Sequence, residues 1–137
     1  MSRGGHKTFP LLAVRLAAMA VWVQLAVWTV QLPRILDTIE SKPKSPLGEE
    51  EARFALRFVD RMTRWKWFVI RRNCLKKNLL YYYVLVTSGK TGVALHVGVR
   101  KPEARIDGHC WLTRNGEIFM DTSENVSKYT IMYSRGV

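Results

Sequence analysis

Three residues in one order give this chain its chemical character: Cys74, then His109, then Asp121. A thiolate attacks a carbonyl carbon, an imidazole moves the proton, and a carboxylate holds the imidazole in one tautomer and stabilises its cation. That is the working set of a cysteine hydrolase or acyltransferase. Cys74 falls at the head of an expected helix. Unpaired N–H groups and the helix dipole stabilise a thiolate there, and Arg71 and Arg72 add positive charge. Cysteine is also among the most buried residue types, so Cys74 taken alone reads equally well as packing. Its backbone N–H is a natural oxyanion donor, and no second donor is assigned. Asn78 and Tyr81 share its helix face and are candidates to line the site, although each singly suits an ordinary surface or packing role.

Whether His109 and Asp121 can meet depends on the turn at Asn115-Gly116. A three-residue loop, Arg114-Asn115-Gly116, pairs Thr113 with Glu117 and sets His109 directly across from Asp121. A two-residue turn sets His109 against Thr122 and sends Asp121 to the other face. The catalytic reading therefore predicts the three-residue loop. Asp107 is a second candidate orienter, or a plain loop aspartate. His96, inside an apolar strand, reads as a satisfied core histidine. Cys74, His96, His109 and Cys110 lack paired metal-ligand spacing, so no metal and no cofactor is expected. Arg71-Arg72 and Lys76-Lys77 fit no nucleic-acid motif and read as a solvated or substrate-facing basic rim.

The elements that must position these residues follow from periodicity. Leu11 to Leu32 is a long apolar run interrupted by Arg15, Gln24 and Gln31. At about 100° per residue the glutamines align and Arg15 lies nearly opposite, so the helix has no broad polar face. Such a helix is buried in protein or in lipid. Packing on the domain or on a partner is favoured over membrane contact through residues 11–32, although Arg15 can snorkel. Pro33 should kink or end this helix. Residues 41–48, rich in Ser, Pro and Lys, read as a linker. Glu49, Glu50 and Glu51 place negative charge at a helix N-terminus, and Phe54, Phe58, Val59 and Met62 form its core stripe. Trp65–Ile70 is a short strand or an extended lead-in. Cys74 to about Thr87 is the central helix, with Asn73 as N-cap, Leu75, Leu79, Tyr82 and Val86 as its buried stripe, and Gly89 as its left-handed cap. Val93–Val99 is a strand, Gly108–Asp121 a hairpin, residues 122–127 a loop and Lys128–Tyr133 a last strand. The expected organisation is an apolar helix and linker over residues 1–48, then an α+β domain over residues 49–137.

The chain has 137 residues, enough for one domain or a domain with an appendage, and its 47% hydrophobic content supplies a core and argues against a disordered chain. Its 22 Lys and Arg against 11 Asp and Glu give a net charge of +11, which favours acidic partners or surfaces. Two cysteines are too few for a disulfide framework. No small-residue cleavage site follows the apolar run, so reduced thiols in the cytoplasm are expected.

Several of these residues together resemble a known family. Arg72-x-Cys74-Leu75-Lys76 ahead of an apolar helix, Gly98-Val99-Arg100, Gly108-His109-Cys110-Trp111-Leu112, Asn115-Gly116 and Asp121 are similar to the transglutaminase-like leader peptidases of lasso-peptide biosynthesis. The resemblance implies a papain-like core, a cysteine helix packed on a small antiparallel sheet that carries His and Asp. It implies Cys74 as nucleophile, His109 as base and Asp121 as orienter. The expected partners are a precursor peptide, a small leader-binding protein (the precursor recognition element) and an asparagine-synthetase-like cyclase. The family pattern has Ala, Glu and Ser where this chain has Cys110, Thr113 and Asn78. Acyl transfer or deamidation by the same three residues, and a non-catalytic adaptor role, are the competing readings.

Overall fold

The computed structural model describes residues 5–64, 73–101 and 106–136. The chain forms two compact units, Met1–Gly89 and Lys90–Val137. The stretch Trp65–Ile70, the arginines Arg71 and Arg72, and the side chain of Asn73 lie outside what is described.

The first unit is helical: α1 Gly5–Thr29, α2 Leu32–Ser41, α3 Glu49–Thr63 and α4 Asn73–Thr87. The apolar run is therefore divided between two helices. Pro33 does not kink or end the first; it opens α2, near N1, where its missing N–H costs nothing and its fixed φ suits a helix. The break falls at Gln31, which is extended (φ −69°, ψ 145°). Helix α2 is amphipathic, and it docks through Ile35, Leu36 and Ile39.

One side of α1 is buried through Leu12, Leu16, Met19, Ala20, Val23, Ala26 and Val27, and the helix contacts α2, α3 and α4. Its other side leaves Leu11, Val14, Val21 and Leu25 exposed. Arg15 Nη2 donates to Tyr83 Oη on α4 at 3.3 Å. The 18 residues Pro10–Val27 are long and apolar enough to cross a membrane, and 39% of that stretch is buried, so the helix is both packed and partly bare.

Helix α3 starts with Glu49, Glu50 and Glu51, as helix electrostatics favour. Its buried line is Ala55, Val59 and Thr63. The expected stripe is rotated: Phe54, Phe58 and Met62 are only half-buried, with the two phenyl rings 5.9 Å apart. The small side chains on the inner line let neighbouring helices approach, while the rings cover the shoulder. Helix α4 contacts α1, α2 and α3, and every residue from Leu79 to Ser88 is buried. It is the centre of the unit rather than an amphipathic surface helix, and Leu75 on the expected stripe is only half-buried. Gly89 ends it at φ 86°, a left-handed conformation that suits glycine.

The second unit is a four-stranded antiparallel sheet in the order β3-β2-β1-β4, with β1 Val93–Arg100, β2 Asp107–Arg114, β3 Glu117–Phe119 and β4 Thr130–Gly136. A short helix, α5 (Ser123–Val126), replaces the expected loop, and the Thr122 hydroxyl accepts from Asn125 N–H as its cap. On one face of β1 and β2 lie Val93, Leu95, Cys110 and Leu112, all buried. The other face carries the cross-strand pairs His96–Trp111, Gly98–His109 and Arg100–Asp107. Strand alternation thus separates the core side chains from the polar and aromatic ones.

Leu36 is fully buried on α2. Leu36→Ala is expected to destabilise the chain by about 2–5 kcal/mol in urea unfolding. A cost below about 0.5 kcal/mol, typical of surface positions, would mean that α2 does not dock.

Candidate active site

Helix α4 carries Cys74 in its first turn, half-buried and free. The Asn78 amide donates to the Cys74 carbonyl oxygen at 2.7 Å, one turn back along the helix. Asn78 therefore ties down the backbone at the cysteine. Tyr81 is buried, and burial first, then the charge of Asp60, pushes its hydroxyl up to about 12 against a smaller opposing effect of Arg64. Lys76 is 0% exposed, which removes it from the expected solvated rim, and burial lowers its pKa. Lys77 pairs with Asp60 at 3.1 Å and lies over the Tyr81 ring. Neither lysine is an idle surface charge.

In the sheet, His109 Nε2 and Asp121 Oδ2 are 2.6 Å apart. The turn that brings them there is not the expected one. Leu112 pairs with Phe119, Thr113 with Ile118 and Arg114 with Glu117, so the hairpin closes through the two residues Asn115 and Gly116. Both are left-handed, at φ 54° and 83°, the conformation a two-residue turn demands when its twist matches the strands. Continued in that register, β3 would send Asp121 to the opposite face from His109. It does not continue. Strand β3 stops at Phe119, and Met120 is left-handed at φ 58°. That single residue, in a conformation costing about 1–2 kcal/mol for a side chain with a Cβ, turns the chain so that Asp121 reaches the imidazole. The expected partners meet by a route that the two-residue alternation rule excludes.

The carboxyl of Asp121 is then fixed from several sides. Oδ1 accepts from its neighbour's N–H, Thr122 N, at 2.7 Å and from Asn125 Nδ2 at 3.3 Å. Burial raises its pKa, but the hydrogen bonds from His109, Thr122 and Asn125 and the charge of His109 outweigh that, and the net shift is down. An ionised carboxylate only accepts, so His109 Nε2 carries the proton of this bond, and among the described residues no hydrogen bond engages Nδ1.

The remaining polar residues have other employment. His96 is on the polar face, not in the core, and both its ring nitrogens are satisfied: Nδ1 lies 2.7 Å from Ser134 Oγ, and Nε2 lies 2.8 Å from Thr113 Oγ1. Asp107 begins β2 and pairs with Arg100 Nε at 2.8 Å, so it does not orient His109. Cys110 is in no disulfide and is buried on the face opposite His109.

A lowered Asp121 stabilises the fold above the ordinary carboxylate value of 3.8, and that contribution is lost as pH falls through its folded value. The stability gap between the wild type and Asp121→Asn, followed by urea unfolding, is expected to be constant near neutrality and to narrow below about pH 4. A gap that stays constant to about pH 2 would place Asp121 outside the hydrogen-bonded, ionised state described.

No curated protein and no solved structure matches the chain at a significant level. A match to the transglutaminase-like superfamily covers residues 17–134. It takes in helices of the first unit together with the sheet that holds His109 and Asp121. On that extent of agreement, with an α+β architecture and a small antiparallel sheet, the chain belongs to the transglutaminase-like superfamily.

Proposed function

We propose that the chain is a cysteine peptidase that removes the leader from a ribosomally made lasso-peptide precursor. The single observation that carries the chemistry is the His109–Asp121 bond through Nε2, which among the described residues leaves Nδ1 unengaged, in a chain whose half-exposed Cys74 heads a helix. Superfamily membership supports cysteine-protease or acyltransferase chemistry. The motif resemblance around Cys74, His109 and Asn115-Gly116 supports the precursor as substrate.

In this reading Cys74 Sγ, as thiolate, bonds to the scissile carbonyl carbon. The carbonyl π pair moves to oxygen, facing the Cys74 backbone N–H. As the tetrahedral species collapses, the C–N bond breaks and the His109 imidazolium gives its Nδ1 proton to the departing amine. A thioester remains. Water, deprotonated by His109, attacks it and releases the acid and the thiol. Asp121 holds the imidazole and stabilises its cation throughout. If an amine replaces water in the second half, the same residues perform acyl transfer, which superfamily membership supports equally. The setting is cytoplasmic, a leader-binding protein presents the precursor, and a cyclase resembling asparagine synthetase takes the product. The +11 charge suits acidic leader or partner surfaces.

Mixing precursor, leader-binding protein and enzyme, and weighing the products, tests this directly. Wild type is expected to give a single peptide-bond cleavage, with Cys74→Ala reducing the rate by at least about 10³-fold. Amine incorporation without cleavage would move the assignment to acyl transfer. No product from folded wild type with the partner bound would favour an adaptor.

A further inference from the structure

A second irregularity in the sheet aims at the same imidazole. Strand β4 pairs with β1 as Val97–Tyr133 and then as Gly98–Ile131, so Met132 is an extra residue. Without it, Thr130 would pair with Arg100, and Tyr129 would fall on the face away from His109. With it, Thr130 pairs with Val99, and Tyr129 comes round to the polar face. There its ring centroid lies 5.0 Å from that of His109 and 6.4 Å from that of Trp111, and His109 and Trp111 are 5.8 Å apart. The three rings pack mutually.

The strand pair opposite His109 is shaped for this cluster. A Cβ on Gly98 would stand 2.9 Å from the Trp111 ring and 2.9 Å from Tyr129 Cβ, a spacing real Cβ atoms essentially never show. The absence of a side chain at Gly98 is what lets Trp111 and Tyr129 close over His109. The outer side of Tyr129 is also held. Its hydroxyl donates to Asp107 Oδ2 at 3.2 Å, the Arg100 guanidinium lies 5.3 Å from its ring centroid, and Arg100 pairs with Asp107. Neither Tyr129, Gly98 nor the Arg100–Asp107 pair belongs to the three residues assigned to bond making and breaking.

We propose that Tyr129 is a positioning residue for His109: the β4 bulge and the space left by Gly98 set its ring against the imidazole, and the Arg100–Asp107 pair anchors it there. Asp121 fixes one ring nitrogen, which leaves the imidazole free to swing about that bond. Packing by Tyr129 and Trp111 removes that freedom and fixes the direction of Nδ1. For the kinetic consequence the inference rests on the peptidase reading above; for the geometry it does not.

Two readouts separate these. In NMR, the His109 Nε2–H shared with Asp121 is expected to give a slowly exchanging downfield proton in the wild-type chain. Gly98→Ala and Tyr129→Leu should speed its exchange about tenfold or more, with the amide spectrum otherwise folded. In turnover of the precursor with its leader-binding protein, kcat should fall about 10- to 100-fold with KM within about threefold, because orientation rather than binding is lost. Tyr129→Phe keeps the ring and cuts only the link to Asp107, and should recover most of the loss while speeding exchange roughly fivefold. An unchanged proton signal and exchange in Tyr129→Leu overturns the proposal. If Tyr129→Leu does not fold, Tyr129→Phe decides, and unchanged exchange there overturns it. Altered exchange in a chain with no peptidase activity would sink the peptidase reading and leave the positioning role standing.

Discussion

The arrangement of the sheet follows from one requirement, that His109 and Asp121 share a 2.6 Å hydrogen bond although strand alternation assigns them to opposite faces. A regular hairpin with a two-residue turn cannot satisfy it. The chain meets it by stopping β3 after three residues and holding Met120 in the left-handed region. The short helix α5 then supplies Asn125 to the far oxygen of the same carboxylate, and Thr122 supplies both its own N–H to that oxygen and the helix cap. A backbone conformation that costs free energy by itself is kept because the hydrogen bonds around Asp121 need it. On the other edge, the extra residue at Met132 does the corresponding thing for Tyr129. Two departures from ideal β geometry, on strands separated by two others, converge on one imidazole.

This explains which parts of the structure were legible in the sequence. The helix from Cys74, the strand after Gly92, the Asn115-Gly116 hairpin and the Gly89 cap all follow from apolar period and from residues with special backbone freedom. The pairing of His109 with Asp121 was anticipated, but by the wrong turn. Asn-Gly is the strongest short-range signal for a two-residue turn, and the turn formed is the one that signal favours, not the three-residue loop that the catalytic reading predicts. Nothing about methionine announces φ 58°, because left-handed backbone is ordinarily read from glycine or asparagine. The bulge at Met132 is equally silent, since an inserted residue in a strand leaves the composition β-like. Helix α2 was within reach: Ile35, Leu36 and Ile39 have helical spacing, and Pro33 marks a start as readily as a stop. The burial of Lys76 was not within reach, because a Lys-Lys pair beside a helix head looks solvated until its environment is known.

The helical unit has its own logic. Helix α4 is buried from Leu79 to Ser88 and contacts the other three helices of the unit, so the segment behind Cys74 is its least yielding part. The Asn78 amide on the Cys74 carbonyl extends that order into the first turn. The long α1 also contacts α3 and α4, and it leaves Leu11, Val14, Val21 and Leu25 exposed on its outer side. A cysteine acting as proposed for Cys74 would benefit from such an ordered mount, since a nucleophile gains from fixed geometry.

The proposed chemistry requires Cys74 and His109 to act as one ionisable pair, and the alkylation rate of Cys74 reads that requirement without a substrate. Iodoacetamide, with peptide mapping, reads Cys74 and Cys110 separately in the folded wild type, in His109→Ala and in Asp121→Asn. The account predicts that at about pH 6, where an ordinary thiol reacts slowly, Cys74 is alkylated at least about tenfold faster than a free cysteine. It predicts that His109→Ala abolishes the advantage, that Asp121→Asn reduces it, and that buried Cys110 is spared. A Cys74 that reacts no faster than free cysteine, and is indifferent to His109→Ala, would contradict the account.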